Sequence, residues 1–132
     1  MTYRVLIADD EERMRRVLAM VFDEMTDTKV VTTSNCVTTL DYLDKERFHL
    51  LITDLKVPEV GRLDFLKAIK NKAPDLPVIV LTAYGSVESA IDVMKEGVFD
   101  YLTTPFENDI LKLAVKRALK MSSLTIENKY LR

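Results

Sequence analysis

The strongest constraint on this chain is an alternation that leaves little room for anything else. Strand-like runs and helix-like periodicities follow one another with only short joins. Tyr3 to Ala8 (YRVLIA) reads as a strand. Met14, Val17, Leu18, Val21, Phe22 and Met25 then recur at i, i+3, i+4, i+7, i+8 and i+11. That spacing is one face of an amphipathic helix. Lys29 to Thr32 is a second strand, and Ser34 or Asn35 can cap a helix carrying Val37, Leu40 and Leu43. Leu50 to Thr53 is a third strand. Leu63, Leu66 and Ile69 mark a helix stopped before Pro74. Val78 to Leu81 is a fourth strand. Ser86 caps a helix with Val87, Ala90, Ile91 and Met94, ended by Gly97. Phe99 to Leu102 is a fifth strand, and a long helix follows Pro105 from about Asn108.

Five βα units result. Strands three and four are apolar on both faces, as central strands of a parallel sheet covered by helices must be. Right-handed crossovers then give an open, doubly wound α/β sandwich. With 132 residues, 48% of them apolar, the chain suits one domain with its own core. Lys plus Arg is 19 against 21 Asp plus Glu, a formal net charge of −2. That balance argues against direct nucleic-acid binding. One cysteine, Cys36, excludes an internal disulfide and fits a reducing compartment. It is expected to pack as a small hydrophobe. Apolar runs are short, so no segment reads as a membrane span, and the N-terminus does not read as a signal peptide.

In open α/β sheets, function gathers outside the carboxyl ends of the strands. Strand one is followed by Asp9, Asp10 and Glu11, strand three by Asp54, and strand four by Thr82. If strands one and three are neighbours, Asp9, Asp10 and Asp54 converge. Three carboxylates in one cleft repel unless a cation is present. The ligands are hard oxygens, which selects Mg²⁺, or Mn²⁺ in its place, over zinc. The alternative has the acids simply favouring nearby helix N-termini without a metal. A lone His49 lacks a partner triad and reads as structural or surface.

VLIADDE (Val5 to Glu11), LLITDLKVP (Leu50 to Pro58), PVIVLTAYG (Pro77 to Gly85) and GVFDYLTTPF (Gly97 to Phe106) together resemble the receiver domain of bacterial two-component response regulators. The resemblance covers roughly residues 3–121 and implies a CheY-like, flavodoxin-like (βα)5 fold with sheet order 2-1-3-4-5. It also implies roles. Asp54 would accept a phosphoryl group from a histidine kinase. Asp10, Asp54 and the Lys56 backbone carbonyl would bind Mg²⁺, with Asp9 acting through water. Thr82 would move to the phosphoryl oxygen, and Tyr101 would rotate inward behind it. That movement would alter the face made by helix four, strand five and helix five. Lys56 and Tyr84 match positions that tune dephosphorylation. Two residues depart from the pattern. Thr104 stands where the family usually has Lys, which weakens the expected link between acceptor and strand five. Arg62 stands where a Gly is usual, with Gly61 one earlier, so the loop after strand three is expected to be rearranged.

Beyond the core helix, Ile110, Ala114, Arg117, Met121, Leu124, Asn128 and Leu131 recur at spacings of four and three, as in a short coiled-coil seam. The reading divides the chain into a receiver domain over 1–121 and the start of a helical linker over 122–132. LTIENKYLR resembles the linker joining receivers to AAA+ domains in sigma-54-dependent activators of the NtrC type. The run LTAYGSVESAIDVMKEGVFDYL is also most like that subfamily. No GxxxxGKS/T phosphate loop is present, so the ATPase and DNA-binding parts would lie downstream. The implied protein is a cytoplasmic regulator, a homodimer and not an enzyme in its own right. Two alternatives remain open. One is a phosphorylation-independent interaction module, favoured by Thr104. The other is an aspartyl-nucleophile phosphohydrolase, disfavoured because Lys56 stands where that class wants a second Asp. Flavin binding ranks third, because two aspartates follow strand one where a phosphate loop would be needed.

Overall fold

The computed structural model describes residues 2–25, 27–54, 62–82 and 87–130. Its elements alternate as β1 (Tyr3–Ala8), α1 (Glu12–Asp23), β2 (Thr28–Thr33), α2 (Cys36–Lys45), β3 (Leu50–Asp54), α3 (Arg62–Lys72), β4 (Val78–Thr82), α4 (Val87–Lys95), β5 (Asp100–Thr103) and α5 (Asn108–Tyr130). All strands pair in parallel, in the order β2-β1-β3-β4-β5. This is the expected doubly wound topology. β2 extends one residue beyond the reading at each end, and β5 is shifted one residue later.

Side chains alternate across each strand, so the sheet has two apolar faces. Leu6, Leu51, Val78 and Val80 meet Cys36 and Leu43 of α2, Phe65, Leu66 and Ile69 of α3, and Val93 of α4. Val5, Ile7, Leu50, Ile52, Ile79 and Leu81 meet Leu18, Val21 and Phe22 of α1 and Leu111, Val115, Ala118 and Leu119 of α5. Cys36 is fully buried, as its reading as a small hydrophobe requires. The Asn35 side chain accepts from the Thr38 amide at 2.8 Å and caps α2, a contact worth about 1 kcal/mol. Gly97 adopts φ +83° where α4 ends, a conformation open to glycine at little cost.

The helix faces differ from the periodicity in three places. Val17 in α1 and Val37 in α2 are exposed, and so are Ile91 and Met94 in α4. In α4 it is Val93, outside the expected stripe, that enters the core. A sheet packs against one side of a helix, so a wide apolar stripe keeps one edge in solvent. Periodicity locates the stripe but not which edge the sheet takes. Ser86 lies outside the described residues, as do the Leu63 and Val87 side chains.

Candidate functional site

Register alone brings the site together. Ala8 pairs with Thr53, so the next residues, Asp9 and Asp54, lie level on neighbouring strands. Asp54 pairs with Leu81, which puts Thr82 one step beyond. Thr82 pairs with Thr103, and the Thr104 amide donates to the Thr82 carbonyl at 2.9 Å. Strands lie about 4.8 Å apart. Two acids and two threonines therefore share one edge of the sheet, contributed by β1, β3, β4 and β5. The Thr104–Pro105 bond is cis.

Asp9 is the buried member, 2% exposed, while Asp54 is half-buried and Asp10 is exposed. The Asp9 amide donates to the Thr33 carbonyl at 3.1 Å, and its Oδ1 accepts from the Glu11 amide at 2.8 Å. Burial pushes the Asp9 carboxyl up to about 6. The Glu11 amide pulls it back, and the charges of Asp54, Asp10 and Glu11 push it up again. Asp54, Asp10 and Glu11 thus all add to the repulsion at Asp9, after burial. Among the described residues, no three His, Cys, Asp or Glu side chains close on one ion position. The donors at this edge are hard oxygens, and a divalent cation would offset both the burial of the Asp9 charge and its repulsion by Asp54, Asp10 and Glu11. In chemistry the residues fit Mg²⁺. The loop carrying Lys56 lies outside the described residues, as do Tyr84, Gly61 and the expected rearrangement of that loop. The side chain of Arg62 lies outside them too.

Thr82 is buried at the end of β4. Tyr101 is half-buried and packs against the Leu6 and Val80 face. The two thus lie on adjacent strands, with Val80 opposite Tyr101. The expected seam on α5 divides. Ala114 is buried in the domain's own core, so it is not available to a second chain. Ile110 and Met121 are exposed, as is Arg117. Ala114 lies on the border between the buried stripe of α5 and this outer edge, and its small side chain is covered by the sheet. The side chains of Leu124 and Asn128, and all of Leu131, lie outside the described residues. α5 runs without a break through the expected 121/122 boundary, and Ser122 is still buried.

Sequence reasoning missed Arg15. Its Nη1 donates to the Asp9 carbonyl at 2.8 Å. A signal was available: Arg15 stands three and seven residues before Leu18 and Phe22, which are both buried. It therefore lies along the inward edge of α1.

The sequence profile of the response regulator receiver domain matches residues 5–116. The chain is a response regulator receiver domain. It is 34% identical over 128 residues to the regulatory protein AtoC of Escherichia coli (strain K12), covering 97% of this chain and 28% of AtoC. It is 36% identical over 120 residues to the response regulator PilR of Pseudomonas aeruginosa, covering 89% of this chain and 26% of PilR. The receiver thus spans about a quarter of the curated relatives it matches, which are regulators of the NtrC type. Among solved structures it resembles NtrX of Brucella abortus with a TM-score of 0.88 at 28% identity, covering 100% of this chain and 30% of that one. It also resembles the beryllofluoride-activated NtrC4 receiver domain dimer, with a TM-score of 0.84 at 28% identity, covering 90% and 98%. Among the described residues, no helix is long and apolar enough to cross a membrane.

Proposed function

We propose that this receiver takes a phosphoryl group from a histidine kinase onto Asp54. One Asp54 carboxylate oxygen attacks phosphorus, the P–N bond of the phosphohistidine breaks, and its electron pair returns to the imidazole. The observation that carries the reading is the register that sets Asp9, Asp54, Thr82 and Thr104 side by side at four strand ends. Asp10, Asp54 and the Lys56 carbonyl would hold Mg²⁺, with Asp9 acting through water. Bound there, the ion supplies positive charge against the arriving phosphoryl group. Thr82 then donates its hydroxyl to a phosphoryl oxygen, and Tyr101 follows inward. The altered face of α4, β5 and α5 is the output. Lys56 and Tyr84 tune hydrolysis of the acyl phosphate.

Residues 1–121 form the regulatory unit, and 122–132 begin the linker to an AAA+ ATPase and DNA-binding part of a sigma-54 activator in the cytoplasm. The receiver catalyses no reaction other than its own phosphorylation and dephosphorylation. Ile110, Arg117 and Met121 favour a homodimer contact along the outer edge of α5, and the NtrC4 receiver dimer supports that assembly here. The test is incubation with acetyl phosphate and Mg²⁺. Intact mass should rise by one phosphoryl group in the wild type and stay unchanged in Asp54→Ala. An unchanged wild-type mass, with the fold intact, rejects the reading.

Thr104 favours a second reading, a receiver that assembles without phosphorylation. A neutral hydroxyl cannot offset the roughly −1.5 to −2 charges of a phosphoryl group as an ammonium does. Sedimentation with Mg²⁺, with and without beryllofluoride, separates the two. A shift in oligomer distribution supports the switch, and identical distributions support the second reading.

A further inference from the structure

We propose that Arg15 is a positioning residue for the metal site, fixing the β1–α1 turn so that Asp10 and Asp9 present their carboxylates to one divalent cation. The proposal rests on the metal role given above to Asp10 and Asp54.

α1 carries three arginines, and they are not equivalent. Arg13 and Arg16 are exposed, and Arg16 pairs along the helix with Glu12 at 2.6 Å. Arg15 is half-buried and reaches back past the helix start to the Asp9 carbonyl at 2.8 Å. Its own amide donates to the Glu11 carbonyl at 3.1 Å. Asp9 is therefore held from three directions: its amide on Thr33, its carboxylate on the Glu11 amide, and its carbonyl under Arg15. Asp10 follows at once and is exposed. A turn fixed at the residue before the ligand has few directions left in which to aim it. Glu11, at the start of α1, makes no side-chain capping hydrogen bond, so the turn is held by the Asp9 carboxylate on the Glu11 amide and by Arg15 on the Asp9 carbonyl.

Holding an arginine in one geometry costs rotamer entropy, so a guanidinium committed to a backbone carbonyl beside a cation site calls for a reason. Its charge supplies the wrong one. A cation near a Mg²⁺ site opposes binding. If Arg15 acted through charge, removing it would tighten Mg²⁺. If it acts by aiming Asp10, removing it loosens Mg²⁺. The two roles differ in sign.

The experiment is titration of the metal-free protein with MgCl₂, followed by NMR at the Asp10 and Glu11 amides. It compares wild type, Arg15→Ala and Arg15→Lys. Amide exchange at the same two residues is measured without metal, and the unfolding midpoint of each variant is recorded. We expect Arg15→Ala to weaken Mg²⁺ about 10-fold, the range seen when groups supporting metal ligands are removed. Exchange at Asp10 and Glu11 should quicken. Arg15→Lys, with a donor of nearly the same reach, should recover most of the affinity. Unchanged or tighter Mg²⁺ binding in Arg15→Ala overturns the proposal while leaving the metal reading intact. A lower midpoint with unchanged affinity makes Arg15 merely structural and also overturns it. If the wild type itself shows no Mg²⁺ response, the metal reading fails and the proposal falls with it.

Discussion

The two ends of the sheet in this receiver are built on opposite electrostatic rules. At the amino end of the strands, every group named has a complementary neighbour. The Arg4 amide donates to His49 Nδ1 at 2.9 Å, and the His49 amide returns a bond to the Arg4 carbonyl at 2.8 Å. The Arg4 guanidinium pairs with Glu46 at 2.6 Å and lies 5.0 Å above the Phe48 ring. Tyr3 and His49 meet edge to face at 5.3 Å, as Tyr42 and Phe48 do at 6.2 Å. At the carboxyl end of the same strands, Asp9 is buried, and burial, with the charges of Asp54, Asp10 and Glu11, pushes its carboxyl up to about 6. One end spends its polar groups on holding the strands together. The other buries a carboxylate among like charges, a cost that a cation bound there as proposed would offset. Perturbed carboxylates of this kind cluster at functional sites.

The largest test of that contrast is Asp9→Asn. Without metal at pH 7, removing the repelled charge should raise stability by about 1–3 kcal/mol, read as a higher midpoint in urea. The gain should shrink when Mg²⁺ is present. A loss of stability without metal would show that the acidic end is not strained. At the opposite end, Arg4→Ala should cost roughly 1–2 kcal/mol. That figure combines a half-exposed ion pair, discounted for solvent screening, with a cation–π contact. Phosphoryl uptake on Asp54 should be unaffected, so a variant that lost both would break the division of labour.

A smaller effect should follow pH. Burial, and then the Arg4 charge, hold His49 below its ordinary value of 6.5. Its neutral Nδ1 accepts the Arg4 amide, and a proton there would set donor against donor. For a basic group lowered by folding, the contribution is fully present above the unfolded value and lost as pH falls below it. The His49 contribution to the thermal midpoint should therefore decline below about pH 6.5, by no more than one hydrogen bond's worth, about 1.5 kcal/mol, against an opposite rise from Asp9 as its raised carboxyl protonates near 6. His49→Asn, whose amide oxygen can stand in for Nδ1, should flatten that decline. A wild-type midpoint with no decline attributable to His49 would break this half of the contrast. The smallest effect belongs to Thr104. Thr104→Lys adds a cation near the acids and should weaken Mg²⁺ by a few-fold, under about 1 kcal/mol at a screened site. It should also enlarge the beryllofluoride response at Tyr101. Tighter Mg²⁺ in the Lys variant, or equal beryllofluoride responses, would show that Thr104 does not limit the switch.

The sequence by itself determined the element order, the class of sheet and the cluster of acids, because each is written in local terms. Period-two and helical spacings are set by backbone geometry. A residue that follows a parallel strand lies at the sheet edge wherever that strand is placed. Asp9, Asp54 and Thr82 could therefore be named together before any coordinates. Tertiary structure decided which edge of each apolar stripe meets the sheet. It put Val93 inside and Ile91 outside, and drew Ala114 into the core instead of leaving it for a seam. It also decided which of three neighbouring arginines turns back onto Asp9, and it made His49 an acceptor for Arg4 across 45 positions of chain. These are long-range choices. They depend on how the packed sheet divides space among the helices, a competition that no local pattern records.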